Sequence, residues 1–235
     1  MAASPERASL QTIGSRLRAA RLERNVSLRE MARRISVSPS FVSQVELGKA
    51  KPSVGTLYAF VSELSLSLDD LMIEDPQAAP TASSEPNPNM PQWSKNSAPF
   101  PWPQPPSPVQ PQDGRRKIQL PGVTWQRLTS QDDPMVEFLH VTYEPGGESC
   151  PETKLMRHGG HEYGHMISGR LDVQVGFEHY QLGPGDSIHF DSATPHRLHN
   201  AYDEDCMSIW VVVGRRVDPR VSGPHHDVVH LPDIE

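Results

Sequence analysis

The sequence predicts a two-domain chain of the α plus β class, with a helical domain at residues 10–75, a disordered linker at 76–117 and a β-barrel domain at 118–235. Three observations predict this division. Apolar residues near the N-terminus recur every three or four positions, which is the helical period. Twelve of the forty-two residues in the linker are proline, so it cannot pack a core. Beyond it, short alternating apolar segments are separated by Gly/Pro turns, which is typical of a β-barrel or sandwich.

Within the helical domain, residues 27–52 are predicted to form a helix, a tight turn and a second helix. Ser27 can cap the first helix. One apolar face of that helix follows at helical spacing and comprises Leu28, Met31, Ala32 and Ile35. Ser38 can cap the second helix, and Gly48 is placed where a helix commonly ends on glycine. The pattern is that of a helix-turn-helix, whose second helix enters the major groove of DNA.

The outer face of the second helix is polar. Ser40, Ser43 and Gln44 can reach base edges, and Gln can pair with adenine through two hydrogen bonds. Lys49 and Lys51 follow as candidate phosphate contacts. The complete predicted DNA-binding set is Arg29, Ser38, Ser40, Ser43, Gln44, Lys49 and Lys51. An ordinary helical hairpin has the same periodicity, but the turn, caps, polar face and basic tail together favour DNA binding.

Residues 38–53, SPSFVSQVELGKAKPS, resemble the signature of the XRE/Cro-type helix-turn-helix. The resemblance extends over about residues 11–72 and implies a five-helix DNA-binding domain. Its remaining helices are expected near residues 10–24, from Ser53, and from Ser67 through Met72. In the first of these, the charged outer side is expected to comprise Arg16, Arg18, Arg21 and Arg24.

The distribution of charge along the chain agrees with a DNA-binding N-terminal domain. The formal net charge is −7, but residues 7–52 carry ten Lys and Arg against three Asp and Glu. Residues 118–235 carry eight Lys and Arg against eighteen Asp and Glu. A basic head on an acidic body is expected to attract phosphate through the head alone. All eleven histidines lie at or after His140, which places the site chemistry in the second half.

The predicted linker contains aromatic residues as well as prolines. Trp93, Phe100 and Trp102 alternate with prolines in the linker, which suits either a docking motif or, preferably, a stiff spacer.

Cys150 and Cys206 are expected to be free thiols in a reducing cytosol. The N-terminus lacks the apolar region of a signal peptide, and no apolar run is long enough for a membrane span. A cytoplasmic location without membrane contact is therefore expected.

The β-rich half carries two segments with possible chemistry, HGGHEYGHMISG at residues 158–169 and GPGDSIHFDSATPHRLHN at residues 183–200. They resemble the two motifs of the cupin superfamily, and the resemblance covers about residues 138–213. It implies a double-stranded β-helix barrel with an internal pocket, and the family's metal ligands correspond to His158, Glu162 and His196. Strands are predicted at residues 136–141, 166–175, 177–182, 187–190, 196–199 and 207–213.

This sequence departs from the cupin pattern at Met156, where the family usually has a further histidine. Two histidines and one carboxylate form a facial triad with open positions, which suits Fe(II); Zn and Mn are alternatives. The other interpretation is a pocket without metal that binds an organic ligand through hydrogen bonds. Met156, Met166 and Phe190 are predicted to line the pocket. The remaining histidines near it are expected to face outward, namely His161, His165 and His199, and His225-His226 is expected to be a solvated tail.

The order of head, linker and single cupin resembles a family of bacterial transcriptional regulators. That resemblance implies an operator DNA, a small-molecule effector and a homodimer formed through the cupin, with no enzymatic activity. The rival interpretation is a mononuclear iron cupin oxygenase similar to hydroxypropylphosphonate epoxidase, which also has a helical domain before a cupin. Two features disfavour it: the well-formed recognition helix followed by lysines, and a linker expected to be too long for the helical domain to cover the pocket.

Overall fold

The computed structural model describes residues 5–68, 70–72, 107–215 and 229–230, with side chains described between residues 12 and 215 of these ranges. The predicted linker up to residue 106, with its aromatic residues, lies outside the described residues, as do His225 and His226. The domain boundaries therefore stay predictions. Among the described helices, none has the length and apolar character needed to cross a membrane.

The described residues of the N-terminal domain form four helices: α1 Pro5–Glu23, α2 Leu28–Arg34, α3 Pro39–Glu46 and α4 Val54–Glu63. The hydroxyls of Ser27, Ser38 and Ser53 each accept a backbone N–H three residues later, so serines cap α2, α3 and α4. Gly48 ends α3 with a φ of 66°, a left-handed conformation that glycine adopts readily. The predicted helix-turn-helix, α2 and α3, is confirmed.

The prediction of a fifth helix through Met72 is wrong. The backbone N–H groups of Leu71 and Met72 both bond to the carbonyl of Leu68, which closes a single turn. The Ser67 backbone N–H donates to the Asp70 carboxylate, so that carboxylate is used in a local turn. The turn is held against α1 because the Arg16 guanidinium donates to the carbonyls of residues 70 and 72. The described segment is therefore a single capped turn and not a full helix.

The expectation that Arg21 lies on an exposed charged side is also wrong. Arg21 is buried, and its guanidinium donates to both carboxylate oxygens of Glu46 at 2.5 and 2.8 Å. Glu46 belongs to α3, so this paired contact joins α1 to the recognition helix. Ile13, Leu17 and Ala20 are buried as predicted.

The C-terminal part of the chain is built of antiparallel strands after a short 3-10 helix, Gln112–Gly114. The strands are β1 Lys117–Leu120, β2 Val123–Arg127, β3 Val136–Tyr143, β4 Lys154–Leu155, β5 His161–Ser168, β6 Leu171–Val175, β7 Glu178–Leu182, β8 Ser187–Asp191, β9 His196–His199, β10 Cys206–Val213 and β11 Val229–His230. The order is β1-β2-β3-β10-β5-β8 in the large sheet, β7-β6-β9 in a second sheet, and β11-β4 in a third. The helical and β-rich parts confirm the two-domain α plus β class.

The strand predictions need two changes. The single strand expected at residues 166–175 is two strands, β5 and β6, separated by a turn at Gly169 with a φ of 72°. A Cβ there would press against the backbone of Cys206, so glycine is needed for the close approach. Strands β1 and β2 precede the first predicted strand and extend the large sheet at its edge.

One helix of the N-terminal domain is packed against the barrel. The residues of α4 from Val54 to Val61 are buried except Thr56, so this helix is apolar around most of its circumference. The backbone N–H of Gly55 donates to the carbonyl of Ser149 in the barrel at 2.8 Å. A single apolar core therefore continues from the helices through α4 into the barrel.

Candidate metal centre and DNA-binding surface

His158, Glu162 and His196 converge inside the barrel. Glu162 lies on β5, His196 begins β9, and His158 lies in the turn before β5. Their exposures are 2%, 4% and 0%. The Nε2 atoms of His158 and His196 lie 2.9 and 3.1 Å from the same carboxylate oxygen, Glu162 Oε1. One ligand atom from each residue falls within 4.8 Å of the others, which is the arrangement of a three-ligand metal site.

Backbone carbonyls fix the tautomers of both imidazoles. His158 Nδ1 lies 2.9 Å from the carbonyl of Gly159, and His196 Nδ1 lies 2.9 Å from the carbonyl of Thr194. Because a carbonyl oxygen only accepts, each Nδ1 carries a proton, and each neutral ring then presents an Nε2 lone pair to Glu162. Metal-binding histidines are held by such outer contacts.

The donor atoms fit a divalent cation. In the described part of the chain, Glu162 Oε1 and His196 Nε2 are buried without a hydrogen-bond partner of acceptable geometry. Two nitrogen lone pairs and a carboxylate facing one point need a positive charge between them, which a proton or a metal ion can supply. The residues therefore fit Fe(II), Zn or Mn, and the donor set does not select among them.

Protonation of the metal-free site follows from the same contacts. Burial alone would raise the pKa of Glu162, but the two facing imidazoles hold it well below its usual range. Burial alone would lower the pKa of His196, but the Glu162 carboxylate raises it. In the absence of metal, these contacts favour an ionised Glu162 carboxylate beside a protonated His196.

Trp210 orients the carboxylate, and sequence reasoning missed it. Its indole N–H donates to Glu162 Oε2 at 2.6 Å from the neighbouring strand β10. Gly164, directly opposite Trp210 in the ladder, has no Cβ and so leaves room for the indole ring. A glycine inside a strand marks such a close approach. This was the sequence signal that could have pointed to a large side chain there.

The triad lies at a small cavity of about 30 Å³. Besides the triad, its lining residues are Val54, Tyr58, Trp125, Leu139, Val141, Tyr143, Ser149, Met156, Leu198 and Trp210. Of the residues predicted to line the pocket, Met156 does so. Phe190 is buried with its ring 5.0 Å from the His196 ring, and Met166 is buried in the core beyond the lining. His161 and His165 are exposed and His199 is half-buried, all outside the lining.

The cavity has a wall from the DNA-binding domain. Tyr58 of α4 stacks on the His158 imidazole, with ring centroids 4.5 Å apart and an interplanar angle of 16°. The argument that a long linker keeps the helical domain off the pocket is therefore wrong, since linker length does not prevent α4 from packing there. The sequence signal was the apolar surface of α4, which extends beyond the face that a helix-turn-helix core needs.

The predicted DNA-contacting residues lie on the helix-turn-helix and the segment after it, and two of them, Ser38 and Lys51, border a groove that also includes Cys150 and Lys154 of the barrel. Ser38, Ser40 and Gln44 are exposed on α3, and Ser43 is half-buried. Arg29, Lys49 and Lys51 are exposed on the flanking segments. Val42 and Val45 on the inner face of α3 are buried, which fixes the helix with its polar side outward.

Comparisons with known proteins agree with this architecture. Residues 17–71 match the helix-turn-helix family and residues 139–212 match the cupin domain family. The HTH-type transcriptional regulator PuuR of Escherichia coli (strain K12) is 24% identical over 198 residues, which is 83% of this chain and 91% of PuuR. The chain thus carries an XRE-type helix-turn-helix domain and a cupin domain, and most of its length is similar to a transcriptional regulator.

Two solved structures are similar as well. The HTH_3 family transcriptional regulator from Vibrio cholerae is 21% identical, with a TM-score of 0.56 over 88% of this chain and 98% of that one. This likeness shows a shared fold across both domains. Hydroxypropylphosphonic acid epoxidase from S. wedmorenis is 15% identical with a TM-score of 0.39, covering 86% of this chain and 97% of that one. A likeness this low carries no argument for enzymatic activity.

Proposed function

We propose that the protein is a sequence-specific DNA-binding transcriptional regulator whose cupin senses a small-molecule effector at a divalent metal held by His158, Glu162 and His196. One observation supports this above the others. The helical domain presents the polar face of α3 outward while α4 of the same domain walls the cavity that holds the triad. A single domain thus contacts both the proposed effector site and, on another surface, the proposed operator. The similarity to a named transcriptional regulator over most of both chains supports the same function.

Ser40, Ser43 and Gln44 are proposed to contact bases, and Arg29, Ser38, Lys49 and Lys51 to contact the backbone of the operator. Gln44 is exposed in the second half of α3 and its amide can bond to adenine through N6 and N7. Gln44→Ala should cost ~1–3 kcal/mol on an operator selected from genomic DNA and relax specificity. Fluorescence anisotropy at fixed salt measures the operator affinity. The matched control is Gln181→Ala on β7, which deletes a side-chain amide from the surface of the barrel. Unchanged operator affinity for Gln44→Ala would refute the assigned contact surface.

The metal is proposed to act as the anchor for the effector. His158, Glu162 and His196 would hold it, and its open positions would supply Lewis-acid coordination of an oxygen or nitrogen group on the effector. Purified protein should contain about one divalent ion per chain in elemental analysis, and Glu162→Gln should lose it. Full metal retention by Glu162→Gln would contradict the site.

A homodimer through the cupin is proposed because one helix-turn-helix contacts few base pairs and dimers bind two half-sites. The outer face of the large sheet carries an apolar patch, in which Phe138, Val211 and Tyr163 are paired across β3, β10 and β5. Phe138, Tyr163 and Ile167 are exposed there in the monomer. Tyr163→Glu should convert a dimer to a monomer in light scattering, with Tyr180→Glu on β7 as the control. A cytoplasmic location follows from the DNA-binding role.

One observation favours a second candidate, a mononuclear iron oxygenase. The helical domain covers the cavity through Tyr58, as an enzyme lid would, and a triad with open positions suits Fe(II). Under this alternative, genomic selection would return no operator, and the iron-loaded protein would consume O₂ in the presence of a substrate. Operator binding that Gln44→Ala weakens would reject the alternative.

A further inference from the structure

We propose that the effector site is a composite of both domains, in which Tyr58 from the DNA-binding domain gates the triad and competes with any occupant larger than one or two waters. The inference rests on the proposed sensing function and names the residue that links the effector to the head. The Tyr58 ring stacks on His158 and lies 5.2 Å from the Trp125 ring, so it occupies the space between a proposed metal ligand and the barrel wall.

Three contacts hold Tyr58 in this position. Its hydroxyl donates to Glu137 Oε2 on β3 at 3.3 Å, and Glu137 is in turn paired with Arg215. The Arg215 guanidinium also lies over the Tyr58 ring, 5.3 Å from its centroid. One turn earlier, Gly55 donates its backbone N–H to Ser149. These contacts fix α4 on the barrel at both the backbone and the side chain.

The volume of the cavity determines what can enter while α4 is in place. A cavity of about 30 Å³ accommodates one or two water molecules. A metal ion with one or two waters therefore fits without movement of Tyr58, whereas an organic molecule of five or more heavy atoms needs the space that the phenol ring fills. Such an effector can bind only where Tyr58 leaves His158, so its binding opposes the docking of α4.

The consequence for DNA binding is a change of head orientation. The outer face of α3 is exposed while α4 is docked, so docking itself does not cover the predicted reading residues. The occupied cavity would release the head from a fixed position on the barrel and alter the spacing of two heads in a dimer. Coupling then arises from the different affinity of the effector for the docked and released states.

A disulfide can lock the docked state. A Cβ at Gly55 would lie 3.5 Å from the Cβ of Cys150, within the range of a disulfide, so Gly55→Cys should cross-link α4 to the barrel. That Cβ also lies 3.2 Å from the Cβ of Met156, and Gly55→Ala controls for this crowding. Loss of two thiols on oxidation, measured by thiol titration on the full chain, reports the cross-link. If Gly55→Cys stays reduced while Gly55→Ala is folded by circular dichroism, the docked position of α4 is refuted.

Access to the cavity is measured with acrylamide, a neutral quencher of five heavy atoms, on a background of Trp93→Phe and Trp102→Phe. The remaining tryptophans, Trp125 and Trp210, both line the cavity. Oxidised Gly55→Cys should be quenched severalfold less than the same protein after reduction. Tyr58→Ala should be quenched severalfold more than Tyr58→Phe, which keeps the stacked ring.

Equal quenching of Tyr58→Ala and Tyr58→Phe would overturn the gate, as would equal quenching of locked and reduced Gly55→Cys. The measurement needs neither metal nor DNA. A negative result would therefore refute the Tyr58 gate but not the proposed regulator, whose domains would then be coupled by another route. Conversely, absence of operator or metal binding in the earlier experiments would refute the proposed function but not the gate.

Discussion

Replacing Trp210 by phenylalanine should weaken metal binding without removing a metal ligand. The indole N–H donates to Glu162 Oε2 at 2.6 Å, which leaves Oε1 directed at both histidines. Phenylalanine keeps an aromatic ring in the space beside Gly164 but cannot donate this hydrogen bond. A hydrogen bond to a charged group contributes ~1.5–3 kcal/mol, which corresponds to a loss of roughly tenfold to a hundredfold in affinity. Mutation of other residues that hydrogen-bond to metal ligands typically lowers metal affinity by a similar factor.

The assay is a competition titration of Co(II) or Zn against a chromophoric chelator, using full-length protein stripped of metal. Trp125→Phe is the matched control, since Trp125 lines the same cavity and is buried, while the indole that donates to Glu162 is that of Trp210. Its metal affinity should stay within about twofold of wild type. Unchanged affinity for Trp210→Phe, or an equal loss for both variants, would refute the argument that the Trp210 N–H orients the carboxylate.

Three further predictions follow from the buried contacts. Arg21→Met should destabilise the protein by ~3–5 kcal/mol in urea unfolding because it leaves Glu46 buried without its partner, and Glu46→Leu added to it should restore most of the loss; additive losses would contradict this. Gly164→Ala should cost ~1–3 kcal/mol and weaken metal binding, since its Cβ would overlap the Trp210 ring; a protein with normal stability and metal affinity would show that the ladder can relax. In metal-free protein, the stabilisation from ionised Glu162 should be lost as the pH falls below 4.5 toward its lowered pKa, and that from protonated His196 as the pH rises above 6.5 through its raised pKa. The urea midpoint of the wild-type protein should therefore be highest between these two pH limits, and Glu162→Gln should abolish this maximum. An identical pH profile for both proteins would refute the pairing of Glu162 with His196.

The helix-turn-helix could be predicted from the sequence because its determinants are local. The serine caps, the apolar spacing of α2 and α3, and Gly48 each act within one or two helical turns, and all of them are as expected. The expected fifth helix did not form although its capping contact did: the Ser67 backbone N–H donates to the Asp70 carboxylate, but the described segment closes only one turn. Capping alone does not make so short a segment a helix, because helix formation begins with a costly first turn.

The triad was identified by its resemblance to the cupin motifs, and its convergence depends on strand pairing. His158 and Glu162 are four residues apart in the sequence, but His196 reaches them because its backbone pairs with that of Met156, two residues before His158. Trp210 is still farther along the chain and faces Glu162 through the pairing of β10 with β5. A single sequence carries no distance between such residues, so an outer-shell partner cannot be assigned from it.

The sequence by itself determined the two domains, the recognition helix with its polar face, and the set of residues able to hold a metal. Only the tertiary structure decided that Arg21 neutralises Glu46 inside the helical core and that Tyr58 stacks on His158. The physical reason is that periodicity shows which side of a helix is apolar but not which surface covers it. For α4 that surface belongs to the barrel, which joins the DNA-binding domain to the proposed effector site.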